Sequence, residues 1–324
     1  MKAVVVVDSP QGKTLQVREV AAPVPGPGQV LVHVHAAALN RSDLSRTQKH
    51  YAPRPVHIAG NEMSGEVIAL GPGVTRFAPG DRVMALADGS YAEQVCVDED
   101  VALRVPDALP LLDAAAVPVS YLTAHDALRS AGHLAGGESV LIHSVTSGVG
   151  IAAVQIARVL GAGLVMGSTR RADRAEPLRA HGLQEIVDLA RAPDFSRAVL
   201  EKTGGQGTAL ILDAIGGGVL AQNLAAAAVR GRIVVLGMLG GTEDTLDLNL
   251  LALRRLQLIG VSFRSRILAE RAQVCRRFEA ELGPRLADGT LRPVISRTFP
   301  LDEALQAQEF MRGNLHLGKI VLLP

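Results

Sequence analysis

The stretch of residues 139–163 constrains the fold of this chain more than any other. It opens with a short apolar run, Val140, Leu141 and Ile142, made of residues that favour strands. A turn of small residues follows at 144–150, and apolar residues then recur at helical spacing until Gly161 and Gly163. A strand, a tight turn and a helix in this order are typical of a dinucleotide-binding unit, because the amino terminus of the helix attracts a pyrophosphate.

The turn departs from the usual G-x-G-x-x-G fingerprint of such units. In that register the chain carries Val145, Ser147 and Gly150, so only the last glycine is present. An ordinary turn that binds nothing is therefore an alternative interpretation. The surrounding pattern favours the cofactor site, because strand-like and helix-like stretches alternate from about residue 121 to residue 286. The predicted strands are 139–144, 163–168, 185–188, 208–213, 231–237 and 256–261, and the predicted helices between them include 171–182, 194–203 and 217–228.

These patterns predict an α/β protein with a doubly wound, six-stranded parallel sheet over residues 121–286. Residues 1–120 carry many short strand-like runs separated by Gly- and Pro-rich turns, which favours a compact β-barrel. Residues 287–324 read as strand, helix and strand, and we expect them to return to the first domain. The cleft between the two domains would then hold the chemistry.

Composition excludes several classes of function. The net charge is +1, so no global attraction to nucleic acid or to a membrane surface is expected. Two cysteines, Cys96 and Cys275, cannot build a disulfide framework or a four-thiolate zinc site. The first apolar run is too short for a signal peptide, and no uncharged run reaches the roughly 18 residues of a membrane span. We therefore expect a cytoplasmic protein without a membrane partner.

Several segments of the chain together resemble those of one family. They are 40–44, 60–65, 78–83, 143–150 together with Gln155, and 318–322. These segments are similar to those of the zinc-independent NADPH:quinone oxidoreductases, the zeta-crystallin-like branch of the medium-chain dehydrogenase/reductase superfamily, and most like the p53-inducible subgroup. The resemblance covers the whole length of the chain and implies a GroES-like β-barrel catalytic domain joined to a Rossmann domain.

The chain departs from the zinc-dependent relatives at the metal ligands. Those relatives carry a cysteine where Asn40 lies and a histidine where Asn61 lies, together with a four-cysteine lobe that is absent here. The resemblance therefore implies that no catalytic metal is bound. Without a metal to stabilise an alkoxide, a quinone or a conjugated enone is the easier hydride acceptor, because the developing charge is delocalised.

The resemblance also implies NADPH as the cofactor. Arg170, Arg171 and Arg174 follow the second predicted strand of the sheet, where an anion such as the 2′-phosphate of NADPH would explain three cations at the start of a helix. A solvated basic turn with Asp173 as its local partner is the alternative. The residues expected to bind the cofactor are Thr123, Ser147, Gly148, Val149, Gly150, Ser168, Arg171, Arg174, Gly237, Met238, Phe263, Arg264, Ser265, Asn314 and Lys319.

The predicted catalytic residues are Tyr51, Asn40 and Asp43, which match the polar residues around the acceptor in the quinone oxidoreductases. Tyr51 also matches the catalytic tyrosine of the related 2-enoyl thioester reductases, and its hydroxyl could donate a hydrogen bond or a proton. Alternatively, Tyr51 only packs in a loop and Asp43 has a structural role. Phe263 could likewise be a core aromatic residue.

We therefore expect an NADPH-dependent, zinc-independent oxidoreductase that transfers hydride to a quinone or conjugated enone. A 2-enoyl thioester reductase and a non-catalytic, crystallin-like NADPH-binding protein remain the alternatives. Residues 256–261 form the predicted last strand of the sheet and are apolar on both faces, which leaves an edge available for pairing. In the family two such edges join across a two-fold axis, so the resemblance implies a homodimer.

Overall fold

The computed structural model describes residues 1–10, 12–46 and 57–324. It divides into two compact units, one formed by Met1–Leu122 with Ile267–Pro324 and the other by Thr123–Arg266. The sequence-based division at 120 and 286 has the same order of segments and stays a prediction. It differs over residues 267–286, where a long helix carries Cys275, whose buried thiol faces the carbonyl oxygen of Val101 in the first unit at 3.8 Å.

We number the strands of the described residues in chain order. In the first unit they are β1 (Lys2–Ser9), β2 (Gly12–Glu19), β3 (Gln29–Ala38), β4 (Glu62–Leu70), β5 (Arg82–Leu86), β6 (Gln94–Asp98), β7 (Ala102–Arg104), β14 (Ile295–Pro300) and β15 (Lys319–Leu323). In the second unit they are β8 (Ser139–Ile142), β9 (Leu164–Thr169), β10 (Glu185–Asp188), β11 (Thr208–Asp213), β12 (Ala227–Val235) and β13 (Gln257–Gly260).

The helices are numbered in the same way. They are α1 (Arg41–Arg46), α2 (Leu111–Ala114), α3 (Pro118–His125), α4 (Gly148–Val159), α5 (Ala172–Ala175), α6 (Phe195–Lys202), α7 (Leu220–Ala226), α8 (Leu248–Arg254), α9 (Leu268–Ala287) and α10 (Ala304–Arg312). In the parts of the chain that the structure describes, no helix is both long enough and apolar enough to cross a membrane.

The second unit contains a six-stranded sheet in the order β10-β9-β8-β11-β12-β13, and every pair in it is parallel. The prediction of a doubly wound parallel sheet is therefore confirmed. The strands β8 to β12 carry buried apolar residues, as expected for a sheet covered by helices, whereas the residues of the outer strand β13 are exposed or half-buried. The strand order reverses between β8 and β11, and ligands of such sheets bind outside the carboxyl ends of the strands at this switch point.

One predicted helix of the second unit is shorter than expected. The stretch 171–182 begins as α5 but continues from Glu176 to His181 as a 3₁₀-helix. Pro177 lies at the start of this second part. Because proline lacks an N–H group and crowds the preceding turn, the regular α-helical hydrogen bonds cannot continue through it.

The first unit is built mainly from antiparallel strands. A sheet in the order β14-β15-β3-β4-β5-β7 also includes β6, which pairs with β3, and only β14 and β15 within it run parallel. On β3 the side chains of Val30, Val32 and Val34 are buried, whereas His33 and His35 between them are exposed. This alternation is what a curved sheet with one apolar inner face requires.

Candidate functional site

The predicted cofactor residues of the second unit lie along one edge of its sheet. Because parallel strands all end on the same side, the segments that follow them meet at that edge. Ser147, Gly148, Val149 and Gly150 follow β8; Ser168, Arg171 and Arg174 lie at the end of β9 and in the adjoining α5; Gly237 and Met238 follow β12; and Phe263, Arg264 and Ser265 follow β13. The structure therefore brings these residues to one side of the sheet.

The turn after β8 presents the amino terminus of α4 at this edge. Ser147 caps the helix, since its Oγ accepts a hydrogen bond from the N–H of Gly150 at 3.0 Å. The first amides of an α-helix have no acceptor within the helix, so those of Gly148 and Val149 can donate to a ligand. Helix dipole and free amides together make this turn suitable for a phosphate group.

Two glycines let the turn fit tightly against the sheet. A Cβ on Gly150 would lie 2.6 Å from the carbonyl oxygen of Ser144 and 2.7 Å from the Cα of Val145. A Cβ on Gly167, within β9, would lie 2.5 Å from a methyl group of Val145. A larger residue at Gly150 would displace the backbone of the turn, and one at Gly167 would displace the side chain of Val145, so both glycines are needed for this close packing.

The cations after β9 lie at the start of α5. Arg171 forms a bidentate ion pair with Asp173, with Nε–Oδ1 and Nη2–Oδ2 distances of 3.0 and 2.9 Å. Hydrogen bonds from Arg171 lower the pKa of the Asp173 carboxyl, and the carboxylate in turn raises the pKa of Arg171. Both groups are exposed, so the pair contributes little to stability and a bound anion could compete for Arg171. The alternative interpretation, in which Asp173 is the local partner of these cations, is thus consistent with the ion pair between Arg171 and Asp173.

An ion pair supports the segment after β13. Arg266 Nη2 lies 2.6 Å from Oδ2 of Asp126, a residue that is only 3% exposed. The Arg266 guanidinium stacks over the ring of Phe263 at 4.9 Å. Phe263 is half-buried, so it differs from a core aromatic residue and is held in place by a charged neighbour.

Three predicted residues lie elsewhere. Thr123 is half-buried in α3. Asn314 belongs to the first unit and follows α10, where its Oδ1 accepts a hydrogen bond from Arg41. Tyr51 lies outside the described residues. The roles proposed for these residues stay predictions.

A buried polar cluster in the first unit contains the other predicted residues. We call it the Glu62 cluster, and it consists of Glu62, Lys319, Asn40, Asp43, Asn61 and Tyr91. Glu62 at the start of β4 is completely buried, and its Oε1 lies 2.6 Å from Lys319 Nζ and 2.8 Å from Asn40 Nδ2. Its Oε2 accepts the backbone N–H of Val119 at 2.7 Å. The carboxylate is therefore matched by an ammonium group and by two further donors.

The same contacts orient the amide of Asn40. An ammonium group can only donate, so the Asn40 Oδ1 atom faces Lys319 Nζ at 2.8 Å while its Nδ2 faces the carboxylate. Lys319 is 4% exposed and its Nζ contacts Asn40 and Glu62. The expectation that Lys319 binds the cofactor stays a prediction, and these contacts give the residue an internal partner.

Asp43 occupies the other half of the cluster. Its Oδ2 accepts the N–H of Asn40 at 2.8 Å and the hydroxyl of Tyr91 at 2.7 Å, and its Oδ1 accepts a hydrogen bond from the Asn61 amide. Both oxygens of the Asp43 carboxyl group therefore have hydrogen-bond donors. These contacts fix α1, which contains Asp43, against the sheet. They agree with the alternative interpretation, in which Asp43 has a structural role.

Sequence reasoning missed the partners that organise both sites. The sequence predicts Asn61 only as the replacement of a metal ligand, and it includes Glu62 and His143 only as members of the segments 60–65 and 143–150. It predicts no role for Tyr91, Asn223 or Asp213. The available signal was a polar residue directly after an apolar strand, as with His143 after β8 and Asp213 at the end of β11. A local pattern marks such a residue as unusual but does not identify its partner.

No group of three or more His, Cys, Asp or Glu side chains in the described residues is arranged to hold a metal ion. The Glu62 cluster contains the amides of Asn40 and Asn61, which the resemblance aligns with the cysteine and histidine ligands of the zinc-dependent relatives, and an ammonium group contacts its carboxylate. Independence from zinc itself stays a prediction.

Models of known protein families match both parts of this chain. The model "Alcohol dehydrogenase GroES-like domain" matches residues 26–107, and the model "Zinc-binding dehydrogenase" matches residues 148–279. A synaptic vesicle membrane protein VAT-1 homolog from Homo sapiens is 32% identical over 96% of this chain and 82% of its own length. The chain belongs to the medium-chain dehydrogenase/reductase superfamily. This superfamily consists of oxidoreductases, and the fold inferred from the resemblance, with its GroES-like domain, is confirmed.

Further similar proteins indicate which branch of the superfamily this chain resembles. The quinone oxidoreductase of Homo sapiens is 28% identical over 100% of this chain and 98% of its own. The polyketide synthase component PikAII of Streptomyces venezuelae is 35% identical over 94% of this chain, which spans only 8% of that synthase. Among solved structures, a mycobacterial protein complexed with NADPH has a TM-score of 0.90 at 29% identity, and the match covers both chains completely.

We predict that Lys319→Met destabilises the protein because it leaves the Glu62 carboxylate buried without its countercharge. The expected loss is about 3–5 kcal/mol in the free energy of unfolding, measured with urea. The double variant Lys319→Met with Glu62→Gln should regain part of this loss, because the neutral amide needs no cation. A single variant as stable as the unmodified protein would show that the pair contributes nothing.

Proposed function

We propose that this chain is an NADPH-dependent oxidoreductase that transfers hydride to a quinone or a conjugated enone. The observation that carries the proposal is the carboxyl edge of the parallel sheet, where the capped amino terminus of α4, the cations of α5 and the segments after β12 and β13 lie together. The NADPH complex of a similar structure and the name of the human relative support the cofactor and the acceptor.

The residues at this edge fit the cofactor. Gly150 has no room for a Cβ and leaves the backbone accessible, so the turn 147–150 would hold the pyrophosphate through its amides. Arg171 and Arg174 would hold the 2′-phosphate, and the segments that contain Met238 and Phe263 would hold the nicotinamide. When bound, NADPH supplies the hydride for the reduction.

The proposed donor to the acceptor is the hydroxyl of Tyr51, which follows α1 in the chain. The Glu62 cluster anchors α1 through Asp43, and α1 leads directly into the segment that contains Tyr51. The contacts of Asn40 and Asp43 thus hold α1, and the Tyr51 hydroxyl is the proposed donor to the oxygen of the reduced acceptor. A phenol suits this task because it can donate a hydrogen bond or a proton.

Reduction of an enoyl thioester is the second candidate. The similarity to a polyketide synthase component favours it, as does the match of Asn40, Asp43 and Tyr51 to the enoyl thioester reductases. Steady-state turnover with a small quinone, an enone and crotonyl thioester would rank the acceptors. Turnover of none of them, with NADPH still bound, would favour the non-catalytic alternative.

A homodimer and a cytoplasmic location complete the proposal. β13 is the outer strand of the six-stranded sheet, and Leu258 on it is 44% exposed. Leu253 in the preceding α8 is 71% exposed. An unpaired edge beside exposed leucines suits pairing with a second copy, which light scattering can test.

We predict that the double variant Arg171→Ala, Arg174→Ala binds NADPH on the order of tenfold to a hundredfold more weakly, because two charge-assisted contacts to the 2′-phosphate are lost. The Michaelis constant for NADH should stay nearly unchanged. Arg170→Ala is the matched control, since it removes an exposed neighbouring cation without affecting the proposed contacts. Equal affinity of the unmodified protein for both cofactors would contradict the assignment.

We predict that Tyr51→Phe leaves NADPH binding intact and lowers turnover of an enone on the order of 100-fold, because a donor to the developing charge is lost. The loss for a quinone should be smaller, since its reduced form delocalises the charge. Tyr91→Phe is the contrasting variant: it removes a donor to Asp43, so it should lower stability without discriminating between acceptors. Unchanged turnover of every acceptor in Tyr51→Phe would make that residue a packing residue only.

We predict that activity survives exhaustive chelation, because amides replace the soft metal ligands in the Glu62 cluster. Metal analysis of the purified protein, together with turnover before and after chelation, provides the check. About one zinc ion per chain, lost together with activity, would contradict the metal-free mechanism.

A further inference from the structure

A buried chain of four side chains connects three neighbouring strands at the carboxyl edge of the second unit. His143 directly follows β8, Ser168 lies in β9, Asp213 ends β11 and Asn223 belongs to α7. His143 Nδ1 lies 2.6 Å from Ser168 Oγ, and His143 Nε2 lies 2.7 Å from Asn223 Oδ1. Asn223 Nδ2 donates to Asp213 Oδ2 at 3.1 Å. All four residues are at most 1% exposed, so water does not compete for these bonds.

Donors and acceptors can be assigned consistently along the hydrogen bonds of these four side chains. Asp213 accepts the N–H groups of Ile215 and Gly216, so it acts as a carboxylate acceptor and the amide nitrogen of Asn223 must face it. The Asn223 oxygen then faces His143 Nε2, which therefore carries the proton. Burial lowers the pKa of His143 and favours the neutral ring. Its Nδ1 is then an acceptor, and the Ser168 hydroxyl donates to it.

These four side chains also hold the turn at 144–150, which is the proposed phosphate-binding turn. His143 immediately precedes Ser144, which has a φ of 52° and starts the turn. Val145 in this turn donates its N–H to the carbonyl oxygen of Ser168 at 3.2 Å, and His143 donates its N–H to the carbonyl oxygen of Leu212 at 3.0 Å. The end of β9 is thus joined to the turn once through the Ser168 backbone and once through its hydroxyl. Loss of the hydroxyl bond would leave the longer backbone hydrogen bond of Ser168, beside the parallel pairing of β8 with β9.

We propose that His143 is a positioning residue for NADPH: through Ser168 it keeps the end of β9, which leads to Arg171 and Arg174, in register with the turn 144–150. The inference rests on the proposed function, because it concerns the same cofactor site. It also changes the role of Ser168. Its hydroxyl proton is used inside the protein, so Ser168 supports the cofactor site by its bond to His143 rather than by donating this proton to the cofactor. Sites of this kind lose affinity when supporting contacts let the ligand-binding elements shift.

The test is the dissociation constant for NADPH of the full chain, measured by calorimetry, together with the turnover number at saturating NADPH. We expect Ser168→Ala and His143→Leu each to weaken NADPH binding about tenfold. The turnover number should change much less, since neither residue contacts the acceptor. Ser168→Thr, which retains the hydroxyl, should recover most of the affinity. The double variant should be no weaker than either single one, because both substitutions break the same contact.

Thr208→Val is the matched control. Thr208 is completely buried and its hydroxyl bonds to Leu210, but it lies at the amino end of β11, away from the cofactor edge. It should lower the melting temperature without changing NADPH affinity. The proposal is overturned if Ser168→Ala binds NADPH as tightly as the unmodified chain, if Thr208→Val weakens binding equally, or if the effects of Ser168→Ala and His143→Leu simply add. Failure of the unmodified chain to bind NADPH would instead reject the proposed function.

Discussion

The ion pair between Glu62 and Lys319 is the interaction on which the polar centre of the first unit depends. A fully buried carboxylate is tolerated only when a countercharge and further donors replace its water. Here the ammonium of Lys319 and the donors of Asn40 and Val119 satisfy this requirement. Since Glu62 and Lys319 are separated by 257 positions in the chain, their contact joins the start of β4 to the start of the last strand. The amide of Asn40 takes its orientation from this pair.

The second unit places the groups that we propose for phosphate binding at one edge of a parallel sheet. The helix cap at Ser147 and the cations at the start of α5 are local features, and we propose that their spacing depends on how the ends of β8 and β9 are held together. The buried hydroxyl, imidazole, amide and carboxylate of Ser168, His143, Asn223 and Asp213 run across three strands. Because every member is satisfied inside the protein, the network is more specific in geometry than a purely apolar contact would be.

The two polar networks share a physical principle. In each, a side chain that was predicted to bind the cofactor has a hydrogen-bond partner inside the protein. Lys319 faces Glu62 and Asn40, and the Ser168 hydroxyl faces His143. In both, the donor and acceptor capacities of the groups allow only one arrangement of protons. Side-chain type alone would assign either residue to direct ligand contact.

The amino-acid sequence by itself determined the architecture of the second unit. Periods of apolar residues predicted the six strands of its sheet, and the small residues after β8 predicted the turn; these signals are local, so they survive without knowledge of the fold. The motifs around Asn40 and Asn61 likewise identified the family and the missing metal ligands. Only the tertiary structure decided that Lys319 meets Glu62, that Ser168 meets His143 and that Asp126 holds Arg266. These partners are far apart in sequence, and a buried polar side chain carries no local pattern that names its partner. Their pairing follows from desolvation, which forces each buried donor and acceptor to find whatever group the folded sheets bring within reach.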